Sequence, residues 1–370
     1  MDKYYGIDLH CSKINLAKVN PENGNLDGEV YSEFFENFNS PRDLLSFVEN
    51  NIPSSSRVGI SAPGVLDKDN LIVKSVNSSL GEKITLGKDL RDKGYDVTLE
   101  NDVVSEGFAS SMFGHGKKAL NFVLATYSSG HNCVRVNDGF IDFNPEFGHQ
   151  DYRGNVHEII CGCGIKGCLE TYCSGKGAAK IAESLFRKSW NFHISNQFEL
   201  IHQHKPVVTI YRKPLSETDS RDPNWKIMDL SLRDYNNKNN SLFNFEDLNN
   251  KDFEEKILSN ISGKNVYDAY KANKDGIPQK FIRDSQVKGI ANSLNRITVN
   301  YNPLDLIILK GGLTNAWEEL FEPAIEMYSE IGLIGKNYLK KPEILKTNIE
   351  EIGIVGGVAN YIKKKADRNF

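Results

Sequence analysis

Three thiols fall in one short run, Cys161-Gly162-Cys163-Gly164-Ile165-Lys166-Gly167-Cys168-Leu169-Glu170. An imidazole precedes them, at His149 or at His157. Three thiolates and one imidazole are the donor set of a closed tetrahedral zinc site. The interleaved glycines let the backbone turn tightly enough for the sulfurs to converge. Unrelated buried thiols, or a redox-active pair, are the competing readings. The cysteine spacing together with the nearby histidine favours the metal.

Glu100-Asn101-Asp102 is the second group that could do chemistry. It lies between a strand-like stretch, 96–100, and a helical one, 103–113. A carboxylate at such a strand end projects into a cleft rather than a core. From there it could take the proton of a hydroxyl nucleophile. The plainer reading of Asn-Asp is a helix N-cap.

The elements that must position these groups alternate. Residues 4–9 and 14–19 are apolar runs that read as a β-hairpin, with turn chemistry at Asn20-Pro21-Glu22-Asn23-Gly24. Residues 41–50 read as a helix with Ser40 as N-cap and Pro41 in its first turn. Strands follow at 57–62 and 96–100. A second series starts near Leu120, with strands at 121–127 and at 133–143 around the Asn137-Asp138-Gly139 turn. A helix is expected over 169–186, interrupted at Ser174-Gly175. A buried strand at 305–309 ends at Gly311-Gly312, a helix follows over 316–331, and 355–365 closes the chain as an amphipathic helix. The pattern predicts an α/β fold built as two similar halves.

The cysteine run, with Glu146-Phe147-Gly148-His149 before it, closely resembles the signature of the ROK family of repressors, open reading frames and sugar kinases. The resemblance implies an actin-like ATPase (ribonuclease H-like) fold, with two α/β lobes around a cleft. It also favours His149 over His157 as the ligand, because Glu-x-Gly-His is the family pattern. The metal set is then His149, Cys161, Cys163 and Cys168. Asp102 matches the family's general base. Gly64, Asn77, Asn101, Asp102, Glu146, His149 and Glu170 stand where the family contacts its sugar; Ala62-Pro63-Gly64-Val65 and the later Asn77 add to the likeness. The implied lobes are 1–118 plus about 355–370, and 119–354 with the zinc loop at 149–168. A polar, Asn-rich stretch at about 187–258 reads as an insertion. Its 207–211 segment is strand-like.

Two loops depart from the family. Kinases of this fold begin with Asp-x-Gly-Gly-Thr, where glycines bring backbone N–H groups close to phosphate. Here the chain reads Asp8-Leu9-His10-Cys11-Ser12-Lys13. The second phosphate loop is Ser128-Ser129-Gly130-His131-Asn132-Cys133, with one glycine left. Gly311 and Gly312 match the adenosine loop. The nucleotide contacts implied are Asp8, Ser12, Lys13, Ser129, Gly130, Gly311 and Gly312. The leading expectation is an ATP-dependent, glucokinase-like kinase for a hexose or amino sugar, using Mg²⁺ and a structural Zn²⁺. The alternative is a sugar sensor of the same family without kinase activity.

Composition agrees with an ordinary globular chain. Its 370 residues suffice for two cores, with 39% hydrophobic and 25% charged residues. A net charge of −4 gives no reason to expect nucleic acid. The first strand at residue 4 leaves no room for a helix-turn-helix, so no DNA partner is expected. Six cysteines, three of them clustered, do not make a secreted disulfide framework. No leader sequence opens the chain, and no run reaches the ~20 apolar residues that cross a bilayer. The expectation is a cytoplasmic protein that meets a monosaccharide and a nucleotide but no membrane. A homodimer is compatible with this.

Overall fold

The computed structural model describes residues 3–10, 12–74, 83–144, 146–152, 154, 159–185, 261–272 and 277–367. Among them the chain builds two five-stranded sheets of the same design. In the first, β1 (Tyr4–Leu9) and β2 (Lys13–Lys18) form the expected hairpin, extended by β3 (Tyr31–Phe34). β4 (Arg57–Ala62) lies parallel to β1. A small sheet of β5 (Val65–Asp67), β6 (Ile72–Lys74) and β7 (Lys83–Ile84) intervenes. Then β8 (Asp96–Asn101) pairs in parallel with β4, giving the order β3-β2-β1-β4-β8. β1 and β4 are buried on both faces, which is why they read as continuous apolar runs rather than alternating ones.

The second sheet repeats the plan. β9 (Asn121–Tyr127), β10 (His131–Asn137) and β11 (Phe140–Asn144) are antiparallel neighbours. β12 (Leu306–Lys310) is parallel to β9, and β13 (Glu343–Lys346) is parallel to β12. The order is β11-β10-β9-β12-β13. The β10–β11 turn holds Asp138 at φ 50° and Gly139 at φ 76°, the left-handed pair that a two-residue hairpin turn requires.

Helices place the strand ends. α1 (Pro41–Asn51) starts at Ser40, whose side chain accepts from the Asp43 N–H, with Pro41 in the first turn. α2 (Leu86–Asp92) precedes β8, and α3 (Asp102–Met112) leaves it. α4 (Glu170–Cys173) ends at Ser174, whose hydroxyl accepts from Gly177 N as the chain turns helical again over 175–185. α5 (Gly263–Ala272) and α6 (Ile277–Tyr301) follow. The helix expected over 316–331 is divided: a 3₁₀ turn (Gly312–Ala316), a π turn (Trp317–Phe321), then α7 (Glu322–Glu330). Pro323 explains the break. It has no N–H for the Glu319 carbonyl one turn back, and Arg283 Nε donates to that carbonyl instead, at 3.0 Å.

α8 (Ile352–Asp367) packs against β1, β4, β8 and α3. Ile354, Val355, Val358 and Ala359 are fully buried there. Full burial of an Ile or Val side chain is worth roughly 1.5–3 kcal/mol. The approach needs glycine on both sides, since a Cβ on Gly59 would lie 1.8 Å from the Gly357 carbonyl oxygen. A side chain larger than hydrogen at either position would force helix and sheet apart. No described helix is long and apolar enough to cross a membrane. The 187–258 stretch, with its strand-like 207–211 segment, lies outside the described residues.

Candidate active site and metal cluster

The metal loop leaves the short turn Phe147–His149 and returns into α4. It closes on itself through Cys161 N donating to the Ile165 carbonyl and Gly164 N donating to the Cys161 carbonyl. Gly164 and Gly167 take φ of 86° and 80°, a region that side chains resist, so the glycines are what bring the sulfurs together. His149 Nδ1 lies 3.5 Å from Cys161 Sγ, and Cys163 Sγ lies 3.6 Å from Cys168 Sγ. All four donor atoms fall within 4.8 Å of one another. The edge of a tetrahedron with ~2.3 Å metal–sulfur bonds is about 3.8 Å, so the set fits zinc. His157 lies outside the described residues.

The other side of the histidine faces Glu146. His149 Nε2 is 3.5 Å from Glu146 Oε2, so one imidazole joins the metal cluster to a carboxylate expected at the sugar. An outer carboxylate of this kind fixes the ring and its tautomer. Glu170 also straddles two regions. Its Oε1 lies 3.5 Å from Cys161 Sγ, and its Oε2 accepts from the His131 N–H at 3.1 Å.

Asp102 and Asn101 meet both sequence readings. Asn101 Oδ1 caps α3, accepting from Val103 N at 3.0 Å and Val104 N at 3.3 Å. Its side-chain amide N–H groups are not needed by the cap. Asp102 begins the helix and accepts from Val103 N at 2.9 Å. It keeps some exposure yet lies deep in the molecule. Burial raises its carboxyl above the ordinary value, and the Lys310 charge opposes that rise. At the Asn101 end of α3 a cavity of about 400 Å³ is lined by Gly64, Leu66, Lys68, Glu100, Asn101, Val104, Phe108 and Ile141, and Asp102 is not among its lining residues. Glu100 is held there by Lys68 at 2.6 Å and Lys364 at 3.5 Å. Asn77 lies outside the described residues.

Several backbone donors at the phosphate-loop positions are paired within the protein. In the β1–β2 hairpin His10 N donates to the Lys13 carbonyl, and Phe35 N donates to the Ser12 carbonyl. The His10 Nε2 atom sits 2.9 Å from Asp8 Oδ2, so the Asp8 carboxylate already has a partner. That hydrogen bond raises the imidazole above its usual value. Cys11 lies outside the described residues. In the β9–β10 loop Ser128 N donates to the Gly130 carbonyl, and Cys133 N donates to Asn132 Oδ1. The His131 side chain is buried. Ser293 Oγ lies 2.8 Å from its Nε2, and its Nδ1 is 3.0 Å from the Thr126 carbonyl. Burial pushes it down to about 4, so it stays neutral. A Cβ on Gly130 would meet Glu170 Oε2 at 2.9 Å.

The third loop differs. Gly311 has φ 103°, and a Cβ there would lie 2.3 Å from the Tyr127 carbonyl oxygen, so the strand exit demands glycine. Gly312 opens onto free space.

Sequence reasoning missed two residues. Lys310, the last residue of β12, forms an ion pair with Glu106, one turn below Asp102 on α3. The signal was a lysine closing an apolar strand, and an acid four residues after Asp102. Neither belongs to a motif, so only the fold brings them together.

Comparison with known proteins decides the family. The ROK family model matches residues 4–217. The chain belongs to the ROK family. N-acetylgalactosamine kinase AgaK of Shewanella sp. (strain ANA-3) is 26% identical over 200 residues, 49% of this chain and 64% of that kinase. The xylose repressor of Bacillus subtilis (strain 168) is 31% identical over 204 residues, half of each chain. The chain thus covers less than two thirds of the length of either relative. A ROK family glucokinase from Streptomyces griseus, solved with glucose and AMPPNP, superposes with a TM-score of 0.65 at 16% identity, covering 98% of this chain and 99% of that one. The fold is the expected α/β, actin-like ATPase fold of ROK proteins.

Proposed function

We propose that this chain binds a hexose or amino sugar and acts on it as a ROK-type sugar kinase, with ATP as phosphoryl donor. The observation that carries the reading is Asp102, a carboxylate that begins α3 directly after Asn101, which lines a cavity together with Gly64. A sugar hydroxyl is a weak nucleophile, and Asp102 takes its proton as the bond to phosphorus forms. Burial raises that carboxyl, and the Lys310 charge opposes the rise. Asn101, with its amide N–H groups free of the cap, orients the hydroxyls. Glu146, His149 and Glu170 hold the far side of the sugar, and the His149, Cys161, Cys163 and Cys168 zinc fixes their loop.

The residues fit the nucleotide only in part. Gly312 leaves room at the adenosine loop, whereas Ser12, Lys13, Ser129 and Gly130 lie in or next to loops whose His10, Ser128, His131 and Cys133 N–H groups are paired within the protein. Mg²⁺·ATP, when bound, supplies the phosphoryl group and its counter-charge. The same pairing favours a second reading, a sugar sensor without phosphoryl transfer. Isothermal titration with a sugar panel and with Mg²⁺·ATP, followed by a coupled assay for ADP, separates the two. Sugar binding with turnover supports the kinase. Sugar binding without nucleotide binding or turnover supports the sensor, and no binding of any hexose or amino sugar overturns both.

A further inference from the structure

Lys310 and Glu106 are charges that no family motif requires. Lys310 ends β12 in the second sheet, and its side chain is 15% exposed. Its ammonium pairs with Glu106 Oε1 on α3, a side chain 3% exposed. The other oxygen of Glu106 is buried with no hydrogen-bond partner. Burial pushes the Glu106 carboxyl up to about 7, with Lys310 opposing and the Asp102 charge adding to the rise. Lys310 also feels Asp102 and Asp8. Asp8 is 5% exposed at the end of β1, against α8, where a Cβ on Gly353 would lie 2.1 Å from Oδ2. Glu106 therefore pairs directly with one ammonium delivered from the other sheet, and the charges of Asp102, one turn away on the same face of α3, and of Asp8 on β1 act on it as well.

Two buried like charges repel strongly where the dielectric is low, and a third would be worse. Such a group of acids must hold a cation or take up protons. We infer that Lys310 is the resident cation of this cluster, its ammonium occupying the space among Asp8, Asp102 and Glu106 that a divalent cation would otherwise claim. A lysine is a compact point charge on a flexible stem, suited to filling such a space. The same ammonium ties β12 to α3 across the two halves. A divalent ion in the wild-type cluster would face a fixed positive charge and a carboxylate, Asp8, already engaged by His10.

The test is a titration of the purified full chain with Mn²⁺ alone, read by the paramagnetic resonance of free Mn²⁺. Wild-type protein should take up none at this cluster. Lys310→Ala should gain one site at least ~100-fold tighter, the scale of removing a like charge from a partly buried site. Asp102→Asn in that background should abolish it. Lys310→Arg keeps the charge and should remain without the site. Lys310→Ala leaves Glu106 unpaired; if it does not fold, Lys310→Ala/Glu106→Gln retains Asp8 and Asp102 and should still gain Mn²⁺ binding. Tight binding by wild-type protein that Asp102→Asn removes would overturn the inference. So would folded Lys310→Ala protein, alone or with Glu106→Gln, that binds no better than wild type. Neither sugar nor nucleotide is present, so the result is independent of whether the chain is a kinase or a sensor.

Discussion

The metal-and-sugar region and the two N-terminal hairpin loops of the sheets use the same device to opposite ends. In the metal loop, Gly164 and Gly167 in left-handed conformations turn donor atoms toward one point, within 4.8 Å of each other. In and around the β1–β2 and β9–β10 loops, four backbone donors are engaged within the protein instead. His10 N, Ser128 N, His131 N and Cys133 N all donate within the protein. A loop binds an anion through its unpaired N–H groups, so a loop whose donors are paired has lost that capacity even where its path is kept. The two regions meet at Glu170, which faces Cys161 on one side and accepts the His131 N–H on the other. One carboxylate from the sugar group thus occupies a donor of the phosphate loop.

The comparison can be broken most severely at the metal. Cys161→Ser, or prolonged chelation, should lower stability by more than ~5 kcal/mol, part of the ~10–16 kcal/mol with which small peptides bind structural zinc. Denaturant unfolding and metal analysis check this, and about one zinc per chain is expected. Metal-free protein that unfolds at the same midpoint would detach the loop from any structural role. Next in size, Asp102→Asn should lower turnover by roughly 10²–10⁴-fold while leaving sugar affinity nearly unchanged. Steady-state kinetics alongside titration would show it, and equal turnover would remove Asp102 from the chemistry.

A smaller effect sharpens the other side of the comparison. Glu106 is raised from 4.5 to about 7, so the folded chain holds a proton that the unfolded chain has released between those values. Stability should therefore fall as pH rises from about 4.5 toward about 7. Glu106→Gln should flatten that slope, as urea unfolding at several pH values would reveal. An unchanged slope would place the titration elsewhere. The smallest effect concerns His10. Its value is raised by Asp8, so the pair's contribution is full below the ordinary histidine value and is lost as pH rises through the raised one. Its side chain is 45% exposed, which limits the pair to about 1 kcal/mol or less. His10→Asn should remove this increment at pH 6 and change little at pH 9. Equal losses at both values would mean that packing, not charge, is what His10 provides.

Local patterns were legible wherever one residue type has one physical use. The hairpins, the Ser40-Pro41 helix start, the strand expected over 96–100 and the clustering of the cysteines all followed from chemistry confined to a few neighbours. The 25-residue α6 was not legible. Ser285, Gln286, Ser293 and Thr298 are buried in it, so its inner face carries no clean apolar stripe. Their partners lie far away in sequence: Tyr267 for Gln286, Tyr127 and His131 for Ser293, Tyr328 for Thr298. The break before α7 was equally hidden, because the donor that compensates for Pro323 is Arg283 of another helix.

The sequence by itself determined the repeated α/β halves, the cysteine cluster and the Asn101-Asp102 position, since each depends on spacing along the chain; His149 rather than His157 came from the family resemblance. It also marked the loss of phosphate-loop glycines. Only the tertiary structure decided what took their place. Whether an N–H is free, and which carboxylates surround Lys310, depend on groups brought together from β1, α3 and β12. Electrostatic energy falls with distance in space rather than along the chain, so a strand-ending lysine shows its role only once its neighbours are known.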